Sequence, residues 1–167
     1  MHDAVATGLA ILLLLVGLPV LILVVRDRTR RRTQSAAHDA DRQSHERRIL
    51  NPDWSRVEEH LQRPAPSALR ELYADRDLVT RIDLDWPDEE IISTFEPLDA
   101  QALRDAERWL GFEAVTLATT GTGDAVYLRP GSREVDAVYV THHDGGDTEV
   151  FAESVAAMHM TLRKANR

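Results

Sequence analysis

Residues 118–131 read ATTGTGDAVYLRPG. Two glycines flank Thr122, Asp124 follows them, and an apolar or β-branched run lies on either side. Such a loop can be a phosphate cradle, a catalytic aspartate on a glycine loop, or a hairpin turn. A phosphate loop of the Walker type ends in Gly-Lys-Ser/Thr, whereas here Gly123 is followed by a carboxylate, which repels phosphate. A dinucleotide-binding loop needs a third glycine and a following helix. The residues after Asp124, AVYLR, have strand character instead. A Gly-x-Gly-Asp pattern also occurs in intramembrane aspartyl proteases, but Asp124 lies far from the apolar N-terminal stretch. The hairpin remains: glycine supplies positive φ without a Cβ penalty, and aspartate accepts hydrogen bonds from nearby backbone N–H groups. Gly121, Gly123 and Asp124 are therefore expected to be turn residues.

The elements around the turn follow from periodicity. Residues 115–120, 124–129 and 135–142 alternate or are β-branched, giving three consecutive strands. Upstream, Asn51-Pro52-Asp53 starts a helix with Trp54, Val57 and Leu61 on one face. A second helix begins near Pro66, buries Leu69, Leu72 and Tyr73, and ends at residues 75–77. Residues 78–86 read as a half-buried strand with Ile82, Leu84 and Trp86 inward, and residues 90–95 as another strand. Asp99 caps a helix whose inner face is Leu103, Ala106, Trp109 and Leu110, and Gly111 ends it. A closing helix spans about 152–164, with Val155, Met158 and Leu162 inward. Short links between strands favour antiparallel pairing, so residues 51–167 are expected to form an α+β domain, mainly an antiparallel sheet with flanking helices.

The chain begins differently. Residues 4–25, AVATGLAILLLLVGLPVLILVV, carry no charge. As a helix they would reach ~33 Å, enough for a hydrocarbon core of ~30 Å. The first three residues lack the Lys or Arg of a signal peptide, so an uncleaved transmembrane helix is expected. The next stretch, RDRTRRR at 26–32, places the N-terminus outside and the rest of the chain in the cytoplasm by the positive-inside rule. Residues 26–50 read as a basic and polar juxtamembrane linker, either a helical extension of the anchor or a flexible tether.

Charge is split along the chain. Residues 1–50 have a net charge of +3, and residues 51–167 have eleven Arg and one Lys against twenty-three Asp and Glu, a net charge of −11. Such a domain repels nucleic acid. Its acidity either keeps it soluble or attracts a basic partner. The absence of cysteine excludes disulfides and thiol chemistry.

Two clusters are candidates for function. Asp85, Trp86, Asp88, Glu89 and Glu90 form either a solvated charge run or an acidic patch around one aromatic anchor, the makeup of a partner-binding hot spot. His142-His143-Asp144 is the best candidate for a metal site, provided His143 already sits in a turn, because adjacent strand residues point to opposite faces. No second ligand cluster stands at metal-like spacing, so neither a metal nor another cofactor is expected.

The order of VTLATTGTGDAVYLRPG, DAVYVTHHDGG and FAESVAAMHMTLRK resembles the SUKH superfamily, named partly for yeast cell-wall synthesis regulators. The resemblance covers residues 51–164 and is strongest from Phe95. Gln62-Arg63-Pro64 and residues 74–77 stand where the family often has Leu-Pro and Asn-Gly-Gly. The resemblance implies a non-enzymatic binding module: bacterial members are immunity proteins that neutralise toxins, and eukaryotic members are regulatory. It implies that Gly123 and Asp124 serve the fold only. The expectation is a membrane-anchored immunity protein for a basic toxin. A tethered regulator or scaffold is the alternative, and a metal-dependent enzyme a further one.

Overall fold

The computed structural model describes residues 37–87, 91–131, 136–143 and 148–167. The expected transmembrane helix at 4–25 lies outside them. Among the described residues, no helix is long and apolar enough to cross a membrane. The chain divides into two compact units, Met1–Ser44 and His45–Arg167. In the first, residues 37–44 are helical and exposed.

Residues 37–49 are helical (α1). The second unit takes in residues 45–50, which composition assigns to the linker, because Ile49 is buried in the domain core. The elements that follow are α2 (Trp54–Leu61), α3 (Ser67–Ala74), α4 (Arg76–Val79), β1 (Leu84–Asp85), β2 (Ile91–Phe95), α5 (Ala100–Leu110), β3 (Val115–Thr120), β4 (Ala125–Leu128), β5 (Val138–Thr141), β6 (Thr148–Ala152) and α6 (Val155–Ala165). The six strands form one sheet in chain order, every neighbour antiparallel. The protein is α+β.

Helix boundaries follow local chemistry. The Asp53 carboxylate accepts from Arg56 N–H, and Asp99 accepts from Gln101 and Ala102 N–H, so each N-cap satisfies donors that have no partner within the helix. Gly111 ends α5 at φ 75°, the left-handed conformation that glycine adopts without strain. Ser154 caps α6 by accepting from Ala157 N–H.

The main core joins α2 (Val57, Leu61), α3 (Leu69, Leu72, Tyr73) and α6 (Val155, Met158, Leu162) to one face of the sheet (Leu117, Val126, Leu128, Val138, Val140). All four residues of β4 are buried. Its alternate residues Ala125 and Tyr127 point to the other face and form a second, smaller cluster with Ala114. Trp86, just after β1, stacks on Phe151 of β6 with ring centroids 4.3 Å apart. Those strands are the two ends of the sheet, so the sheet curls until its edges meet around the main core. The second cluster is on the outer face.

Three expectations are corrected. Residues 78–86 are not one strand: Leu78 and Val79 are both buried in the short helix α4, which continues directly from α3 through Asp75. Asp83 then adopts φ 56°, which breaks the alternation, leaves Ile82 58 % exposed and confines β1 to two residues. The three C-terminal strands are four, because Thr148–Ala152 pairs with β5 and delays α6 to Val155. In α5, Leu103 and Ala106 are buried but Trp109 is 53 % exposed. At about 100° per residue, Trp109 lies about 120° around the helix from Leu103, while Leu110 lies within about 20°.

Candidate functional site

Residues 121–124 join β3 to β4 as a hairpin turn. Thr120 N–H donates to Asp124 O at 2.9 Å and Gly123 N–H to Thr120 O at 3.0 Å. Gly123 holds φ 90°, a conformation that side-chain-bearing residues avoid. Gly121 N–H donates to Ile91 O at 2.8 Å, tying the turn to β2.

The Asp124 side chain turns inward and is 5 % exposed as a residue. One carboxylate oxygen accepts from Thr122 Oγ1 at 2.7 Å and His142 Nδ1 at 3.1 Å. The other accepts from His143 N–H and His143 Nδ1, both at 2.9 Å. Burial pushes this carboxyl up, but the bonds from Thr122, the His143 N–H and the two imidazoles outweigh it and hold the group well below the usual carboxylate range. The group is an ionised acceptor, so both imidazoles carry their proton on Nδ1 when they bond to it.

This arrangement explains how two adjacent histidines reach one side of the chain. β5 ends at Thr141, and His143 is already in the turn. Both Nδ1 atoms are occupied by Asp124, which is not adjacent to them in sequence. Asp144, the third member of the expected metal cluster, lies outside the described residues. Among the described residues, no group of three or more His, Asp or Glu is placed to hold an ion. The nearby hydroxyls of Thr120 and Thr122 bond to each other at 2.8 Å, and Thr122 donates on to Asp124. Asp124 thus clamps the β3–β4 turn to the end of β5.

The acidic–aromatic stretch is only partly described, because Asp88, Glu89 and Glu90 lie outside the described residues. Asp85 is engaged through its backbone: its N–H donates to Asn166 Oδ1 at 2.9 Å, and its carbonyl accepts from Asn166 Nδ2 at 3.0 Å. Trp86 is half-buried, stacked on Phe151 and packed against the main core. Its stacked face helps close the sheet, and the rest of the side chain is accessible.

The outer face of the sheet is different. From the Phe112 ring an aromatic row runs to Tyr127 at 5.5 Å and on to Tyr139 at 6.0 Å. Tyr139 pairs across the sheet with Val150, which is 54 % exposed. The Tyr127 hydroxyl lies 3.0 Å from Thr141 Oγ1, which lies 2.9 Å from Thr148 Oγ1. Polar tips therefore stand among apolar bodies, as they do at protein interfaces.

Beside this row, α5 and the outer face of β3 and β4 enclose a groove of about 230 Å³. Pro97, Ala106 and Ala125 form its buried floor, and Glu96, Asp105 and the exposed Trp109 stand around it. Arg48 closes one end, where Nε and Nη2 reach the Asp99 carboxylate at 2.7 and 3.0 Å. That bidentate pair, set against some burial and reinforced by two backbone N–H groups, brings the Asp99 carboxyl down to about 2. Sequence reasoning missed the groove, because it is assembled from residues 45–48, 96–109 and 116–125. The signal in the sequence was the position of Trp109, about 120° around the helix from Leu103 and so off the buried face.

Comparison with family models, with curated proteins and with solved structures finds no match to this chain.

Proposed function

We propose that this chain is a membrane-tethered, non-enzymatic protein-binding module with a basic protein as its partner. Among such modules we favour an immunity protein that binds and neutralises a toxin, the role that the SUKH resemblance implies. The observation that carries the reading is the outer sheet face, where the half-buried Phe112 and Tyr139 and the exposed Val150 surround the buried Tyr127 beside the exposed Trp109. Aromatic side chains with accessible polar tips are the usual anchors of protein interfaces. The net charge of −11 over residues 51–167 would speed the encounter with a cationic partner. The uncharged stretch at 4–25 would supply the tether.

The test is binding and protection. The full chain, purified in detergent, is titrated with the C-terminal domain of the protein encoded by the neighbouring gene, and cells co-expressing the two are scored for growth. The reading expects sub-micromolar binding, weakened at least about tenfold by Val150→Glu, together with restored growth. Binding without protection would move the assignment to a tethered regulator or scaffold. Neither binding nor protection would remove the immunity assignment.

A further inference from the structure

We propose that the groove between α5 and the outer sheet face receives a cationic side chain of the partner, an arginine or a lysine; this rests on the protein-binding reading above. The groove is smaller than the ~300–1,000 Å³ of pockets that hold drug-sized ligands, which suits a single side chain. Its floor is apolar, with Pro97, Ala106 and Ala125 buried, and would accept a methylene stem. Its charged groups select the head. Glu96 is engaged by the Thr119 hydroxyl at 2.8 Å and Asp105 by the Gln101 amide at 2.7 Å, and neither forms an ion pair among the described residues.

Among the described residues, Arg48 is the guanidinium that lines the groove, and it is bound to Asp99. That hydrogen bond raises its pKa, with Glu96 and Asp105 adding to it at longer range. With Arg48 paired to Asp99, and His45 in the lining placed 3.1 Å from the Phe95 carbonyl, the carboxylates of Glu96 and Asp105 disfavour an anion as occupant and leave two negative charges for a second cation. Trp109, half-exposed beside them, offers an indole face on which a guanidinium or ammonium would stack.

The test uses the full chain in detergent micelles and two pentapeptides, acetyl-Gly-Gly-Arg-Gly-Gly-amide and its citrulline counterpart, which has the same shape without the charge. The indole N–H resonance of Trp109 is followed by NMR. The proposal expects a saturable shift with the arginine peptide, at least about tenfold weaker binding of the citrulline peptide, and a similar loss in the Glu96→Gln/Asp105→Asn double variant. Both substitutions keep an oxygen acceptor for Thr119 and Gln101, so the fold is retained. Equal titration by the two peptides, no saturable shift, or an unaffected double variant would overturn the proposal. If the peptide titration fails while a protein partner is still bound through Val150, the cationic groove falls and the protein-binding reading stands; failure of both removes both.

Discussion

Asp124 accepts four hydrogen bonds from three residues, and two of those residues lie eighteen and nineteen positions away. Its role in the turn was legible in sequence, because a glycine pair followed by aspartate between β-rich runs has few other uses. Its second role was not: nothing in the string says that the carboxylate turns inward toward His142 and His143, since that contact depends on the β4–β5 register. Asp124→Ala would leave the His143 N–H and two imidazoles without their acceptor. We expect a loss of about 3 kcal/mol in chemical denaturation, against under about 1 kcal/mol for Thr122→Ala, whose side chain is on the exposed tip of the turn. Equal effects would show that the clamp is not what holds the turn.

The same residues set the acid limit of the fold. Asp124 and Asp99 titrate below the ordinary value of 3.8, and Asp75 does so too, chiefly through its bond from Arg163. A carboxyl whose pKa is depressed by folding contributes stability that is complete above its unfolded value and is lost as pH falls through the folded one. The stability that these three carboxyls contribute should therefore be flat above about pH 5 and fall from about pH 4 toward pH 2. In Asp124→Ala that fall should be shallower. An unchanged acid slope in the variant would contradict the assignment.

Helices and strands differ in how far sequence revealed them. Asp99 and Gly111 bound α5, and Val155, Met158 and Leu162 line α6, because caps and a 3.6-residue period are local signals. α4 and β6 were missed for separate reasons: α4 has four residues, too short for a helical period, and β6 is mostly exposed, so it shows no alternation of buried apolar residues. The edge strands also show how the sheet avoids adding further strands. β1 is two residues long, and β6 carries Glu149 as its second residue and a register shift beyond Val150. A short or charged edge discourages pairing through the backbone.

At the scale of the domain, the curl of the sheet was the least legible feature. Among its acidic neighbours Trp86 reads either as part of a solvated charge run or as an anchor for a partner, and neither reading reveals that its ring stacks on Phe151 from the other end of the sheet. A double-mutant cycle of Trp86→Leu and Phe151→Leu should give a coupling of about 1 kcal/mol; additivity would mean that the edges close without that contact. The curl buries one face around α2, α3 and α6 and turns the other outward, with Tyr139, Val150 and Trp109 accessible on it. Hydrogen–deuterium exchange of the full chain, with and without the protein partner proposed for it, tests the proposed binding face most directly. Slowed exchange is expected in β5, β6 and the second half of α5, with none on the exposed side of α6 around Met160. Protection centred on α6 and Ile82, with β5 and β6 unchanged, would contradict it.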